Sequence, residues 1–130
     1  MSARLSALTA LLSVACVVAA CGSDSGSSDA AVTAVATTPQ VADLVRNVGG
    51  ERVDVHGVLA AGADPHGYEP RPSDAASIAD AAVVFKSGGE VDDWLDELVD
   101  NAGGDAEVVD LIDAVDTLED AQGETDPHWW

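Results

Sequence analysis

The chain has 130 residues, of which 24 are Asp or Glu against 5 Lys or Arg, giving a formal net charge of −19. That balance repels nucleic acid and anionic membrane surfaces, and it favours cations. Both cysteines, Cys16 and Cys21, precede the domain, which excludes a disulfide framework, a zinc–thiolate centre and a thiol nucleophile.

Met1 to Arg4 is a short start with one positive charge. Leu5 to Ala20 is apolar but shorter than the roughly 20 residues a membrane-spanning helix needs. Val18-Ala19-Ala20-Cys21 then sets small residues before a cysteine, and the polar run Gly22 to Ser28 follows. This arrangement resembles a bacterial lipoprotein signal, with a leader over residues 1–20, a lipid on the sulfur of Cys21, and a flexible Gly/Ser tether over 21–31. An ordinary secretory leader with Cys21 incidental is the alternative. Either way the mature chain is extracytoplasmic, and the first reading anchors it to the cell membrane. All the acidic residues follow Cys21.

The remainder is long enough for one small domain. Val32 to Thr38 reads as a strand. Pro39 opens a helix carrying Val41, Leu44, Val45 and Val48 at helical spacing, stopped by Gly49-Gly50. Val53 to Leu59 is a second strand, followed by a loop over 60–72. Ser73 is placed to cap a short helix running to Ala79. Ala82 to Phe85 is a brief buried strand, and Ser87-Gly88-Gly89 turns the chain. The pattern predicts an amphipathic helix over 90–102, with Val91, Trp94, Leu95, Leu98 and Val99 on one side, and a fourth strand over 106–112. Regular βαβα alternation predicts an α/β fold with a mostly parallel sheet flanked by helices. Asp113 to Thr125 is acidic, small and turn-rich, as expected of an exposed connection.

One tripeptide occurs twice, as Asp64-Pro65-His66 and Asp126-Pro127-His128. Proline stiffens the backbone beside each histidine, and each aspartate is near enough to orient an imidazole. The loop with His66 leaves the second strand at its carboxyl end, where open α/β sheets hold ligands. A single histidine in a proline-rich loop is usually a surface residue. Recurrence of the motif makes His66 and His128 candidate metal ligands. His56 has no partner motif and reads as structural or exposed.

The stretch from Ala61 to Asp74, AGADPHGYEPRPSD, resembles the first ligand loop of the zinc and manganese substrate-binding proteins of ABC importers, a family also described as adhesin-like. Asp126-Pro127-His128-Trp129-Trp130 is similar to the family's second ligand motif. Thr37-Thr38, Asp43-Leu44-Val45 and Trp94-Leu95 also look like the family, so the resemblance covers residues 32–130. It implies that His66 and His128 coordinate the metal, with Asp64 and Asp126 in supporting roles. It further implies a non-catalytic receptor that captures Zn²⁺, placed ahead of Mn²⁺, and delivers it to an importer permease. Such receptors close a cleft between two lobes. Residues 32–130 are therefore expected to be the N-terminal lobe of a longer protein. The second lobe would supply two further ligands, usually a histidine or glutamate and then an aspartate or glutamate, which discriminate the metals.

Two other functions compete. A zinc hydrolase could use two histidines and a carboxylate, but there is no His-Glu-x-x-His helix and no evident general base beside the motifs. A lipid-anchored surface or adhesion protein would need no metal. Tyr68 could wall the site or anchor its loop, and Trp94 reads as a core residue of its helix. Trp129 and Trp130 read as core aromatics that pack against further sequence, or as an exposed apolar end.

Overall fold

The computed structural model describes residues 31–130. The expected leader over 1–20, the expected lipidation site Cys21 and nearly all of the expected tether lie outside the described residues. Four strands, β1 (Val32–Ala36), β2 (Val53–Gly57), β3 (Val83–Lys86) and β4 (Glu107–Asp110), alternate with three helices, α1 (Pro39–Gly49), α2 (Pro72–Ala79) and α3 (Trp94–Ala102). The sheet order is β2-β1-β3-β4, and every pairing is parallel. The α/β expectation is met.

Local chemistry explains the helix starts. Pro39 occupies the first turn of α1, where a missing N–H costs nothing. The Thr38 hydroxyl accepts the Val41 amide at 3.2 Å. Ser73 is not the cap of α2. The helix begins at Pro72, and the Asp74 carboxylate reaches back to accept the Arg71 amide at 2.7 Å. The third helix starts at Trp94 rather than at residue 90. Glu90 adopts φ 68°, a left-handed conformation that no helix continues through. Strands are also shorter than their apolar runs, although sheet-like bonding runs on beyond them. The Val58 amide donates to Ala36 O at 2.9 Å, and the Leu59 amide donates to Thr37 O at 3.0 Å.

Two apolar layers sandwich the sheet, as a parallel sheet requires. On one face Val35 and Val84 pack with Val58, Leu59, Ile78 and Leu95, so that α2 and α3 cover this side. On the other, Ala36 packs with Val41 and Ala42 of α1, flanked by Val55, Phe85 and Trp129. An apolar groove of about 440 Å³ remains on the α1 side, reached by Val48, Phe85, Leu111 and Trp129. Lys86, at the end of β3, is nearly buried. Burial alone would lower its pKa, but it is raised because a hydrogen bond to Asp96 and the charges of Asp96 and Asp110 outweigh that penalty. That bond, at 2.9 Å, ties α3 to the sheet.

Ile78 is fully enclosed between α2 and the sheet. Ile78→Ala removes its branched chain from a packed site and should destabilise the domain by about 2–5 kcal/mol. Urea denaturation monitored by circular dichroism measures this. A loss below about 1 kcal/mol would contradict the placement of Ile78 at the centre of the core.

Candidate metal centre

Parallel pairing sends the carboxyl ends of all four strands to one edge, and both repeated tripeptides lie there. The two imidazole rings stand 6.3 Å apart, centroid to centroid, at an interplanar angle of 65°. Tetrahedral zinc, with Zn–N near 2.0–2.1 Å, would hold two such centroids about 5 Å apart. The centroids are therefore within about 1 Å of a chelating separation. Both histidines are exposed to solvent, so an ion can reach them. Among the described residues no group of three His, Cys, Asp or Glu side chains is placed to hold a metal ion. The arrangement is a pair of imidazoles with no third donor beside them among the described residues.

Each tripeptide folds into the same turn. In the first, the Asp64 carboxylate accepts the His66 amide at 3.0 Å. In the second, Asp126 Oδ1 accepts the His128 amide at 2.9 Å and lies 2.9 Å from His128 Nδ1. A carboxylate can only accept, so Nδ1 is the donor of this contact, and the lone pair of the neutral ring is then on Nε2. The His128 amide, and then its ring, hold the Asp126 carboxyl below the usual carboxylate pKa. Asp64 makes only the backbone version of this contact, so orientation of the His66 ring must come from elsewhere.

Indole groups fasten both turns to the domain. Trp94 Nε1 donates to the Pro65 carbonyl at 2.9 Å, next to His66. Trp129 Nε1 donates to the Ser87 carbonyl at 3.1 Å, next to His128. Trp94 is thus a strap on the first motif as well as a packing residue. Trp129 is half-buried against the α1 layer, and Trp130 is 44% exposed. Pro127 closes onto Gly89, where an added Cβ would approach the Pro127 ring to 2.9 Å. Gly89 also sits at φ 62°, so both space and backbone select glycine there.

Tyr68 anchors the loop. Its ring packs on Trp94 at 4.9 Å, its hydroxyl donates to Asp74 at 2.7 Å, and Arg71 donates back to the hydroxyl at 2.9 Å. Burial, with the Asp74 carboxylate adding to it, raises the Tyr68 pKa. His56 lies on the edge strand β2, exposed. Residues 113–125 form an exposed turn in which the Asp120 carboxylate accepts the Gln122 and Glu124 amides at 2.8 and 2.9 Å. What sequence reasoning missed is the fastening: the Trp94 strap, the Tyr68–Asp74–Arg71 cluster, and a buried carboxylate at Asp92. An indole N–H whose acceptor lies 29 or 42 residues away along the chain carries no sequence signature.

Two outcomes test this geometry. Trp94→Phe keeps the ring packing but deletes one hydrogen bond, and should cost about 1 kcal/mol. It should also speed amide exchange around His66, read by NMR; unchanged exchange there would show that the strap does not hold the loop. Asp126 has a folded pKa below its 3.8 reference. Its contribution to stability is present above that reference and disappears as pH falls through the folded value. A carboxyl ¹³C titration should place its midpoint below 3.8, and a midpoint at or above that reference would contradict the His128 turn.

Comparison with known proteins accounts for this architecture. Residues 34–130 match the family model ZnuA, zinc-uptake complex component A, periplasmic. The metal ABC transporter substrate-binding lipoprotein SsaB of Streptococcus sanguinis is 32% identical over 139 residues, covering 98% of this chain and 45% of the relative. The manganese-binding lipoprotein MntA of Halalkalibacterium halodurans is 34% identical, covering 92% of this chain and 41% of the relative. A crystal structure of ZnuA superposes with a TM-score of 0.69 at 25% identity, over 77% of this chain and 39% of that one. The Zn(II)-bound ZnuA-like domain of Streptococcus pneumoniae AdcA gives 0.65 at 27% identity, over 77% of this chain and 37% of that one. The chain spans less than half the length of the curated relatives it matches. These relatives are named as substrate-binding or metal-binding lipoproteins, not as enzymes. By a match that runs from the first strand to the last residue, this chain belongs to the ZnuA family.

Proposed function

We propose that residues 32–130 form the histidine-bearing N-terminal lobe of an extracytoplasmic receptor that captures a divalent transition metal for an ABC importer. His66 and His128 are its two imidazole ligands. The observation that carries this reading is the convergence of two identical Asp-Pro-His turns at one sheet edge, with their rings 6.3 Å apart. Neutral imidazole is the commonest protein ligand for such ions, and a hydrogen bond at the second nitrogen orients it and raises its basicity. Asp126 supplies that bond to His128.

The remaining coordination positions fall to a second lobe, and the exposed half-site is suited to closing against one. Two ligands alone give weak binding, because zinc prefers four. Two imidazoles favour Zn²⁺ over Mn²⁺, which prefers oxygen donors; several relatives carry manganese in their names. The ion itself is the cargo. A net charge of −19 raises the local cation concentration and speeds encounter. Because imidazole must be deprotonated to bind, affinity falls on acidification. Cys21 is the lipid-bearing residue that keeps the receptor beside its permease.

Isothermal titration of the full protein with Zn²⁺ tests the ligands. His66→Ala or His128→Ala should weaken binding by more than the roughly 10–100-fold that loss of an outer-shell partner costs, while the circular dichroism spectrum is retained. Unchanged affinity in either variant would overturn the assignment. For the anchor, Cys21→Ser should move the protein from the membrane pellet to the soluble fraction. Retention in the pellet after a carbonate wash would rule out lipidation at Cys21.

A further inference from the structure

Asp92 is fully buried, yet it is absent from the site described above. It lies in the turn that precedes α3. Its Oδ2 accepts the Ser87 amide at 2.6 Å and the Thr37 hydroxyl, and its Oδ1 accepts the Gly88 amide at 2.9 Å. One carboxylate thereby joins the end of β1, the turn after β3 and the start of α3. No cation lies within ion-pair distance of it among the described residues, where Lys86 is engaged by Asp96 and Asp110. Burying such a group is sustainable only because both oxygens are met by donors.

Two of the three elements that Asp92 joins, the turn after β3 and the start of α3, take part in the bonds that fasten the two histidine-bearing turns. Ser87, whose amide it accepts, offers its carbonyl to Trp129, the neighbour of His128. Trp94, two residues beyond it, holds the carbonyl of Pro65, the neighbour of His66. A continuous path of short contacts therefore runs from His66 through Pro65, Trp94, the Asp92 turn, Ser87 and Trp129 to His128. We propose that Asp92 is a positioning residue that sets the separation of the two metal-ligating histidines, an inference that rests on the ligand reading above. The chemistry requires a carboxylate. An amide in its place would, in either orientation, turn its NH₂ toward the Ser87 or the Gly88 N–H and leave one arm of the junction unpaired. With the junction loosened, each histidine can still bind an ion singly, but the pair no longer meets one ion without reordering.

A double-mutant cycle in the full chain tests this, with Co²⁺ as the probe and its visible d–d absorption as the readout. Asp92→Asn should weaken Co²⁺ binding about tenfold or more and shift the absorption band toward a site with fewer nitrogen donors. In the His66→Ala background, where no spacing remains to be set, Asp92→Asn should change affinity less than about twofold. Equal losses in both backgrounds would mean a purely structural role and overturn the proposal. So would an unchanged affinity in the single variant. If Asp92→Asn fails to fold, Thr37→Val and Trp129→Phe each remove one member of the path and should show the same dependence on His66, and its absence from both would overturn the proposal. Equal binding by the unsubstituted chain and His66→Ala would instead refute the ligand reading itself.

Discussion

Parallel pairing of β1 with both β2 and β3 is the constraint on which the rest of this domain depends. In a parallel sheet every strand points the same way, so the four segments that follow the strands emerge on one edge. Thr37 follows β1, the His66 loop follows β2, the Ser87-Gly88-Gly89 turn follows β3, and the path to His128 follows β4. Residues far apart in sequence meet there without any long-range sequence code. An antiparallel arrangement would have sent alternate loops to opposite ends and separated the histidines.

Topology brings the turns to the same edge but does not fix them within ångströms. That is done by a few directional bonds over small distances. An Asx turn shapes each tripeptide, an indole N–H ties each turn to the body, and a buried carboxylate links the two tied elements. Each such bond contributes about 1 kcal/mol, or about 1.5–3 kcal/mol where a carboxylate accepts, so they position the turns more than they hold the fold. The apolar layers around Val35, Val84, Ile78 and Leu95 do that. The division is a physical one: burial is strong and non-directional, and hydrogen bonds are weak but geometric. Two imidazoles held a few ångströms apart need both.

Much of this was legible in the sequence. Hydrophobic period and punctuation located every strand and helix, because β-branched runs, Pro39 and the Gly-Gly stops each act locally. The repeated Asp-Pro-His flagged both turns that converge at the sheet edge, because proline and aspartate constrain the residue beside them. Boundaries were less legible. Val91 fits the apolar stripe and so predicts a start for α3 at 90, whereas Glu90 at φ 68° and the inward-turned Asp92 delay it to Trp94. Ser73 looked like a cap, yet Pro72 had already opened the helix and Asp74 capped it from within. Asp92 was hidden among many acids in a chain of net charge −19, where an acidic residue reads by default as solvated surface. Only three-dimensional pairing with Thr37, Ser87 and Gly88 distinguishes it.

The central claim is that His66 and His128 bind one and the same ion. Anomalous diffraction from crystals of the full protein grown with Zn²⁺, collected at the zinc edge, tests it directly. The account predicts a single strong peak between the two rings, within about 2.0–2.1 Å of one nitrogen from each, with Nε2 the nitrogen used on His128. Peaks confined to the acidic stretch over 113–125, with none between the histidines, would contradict it.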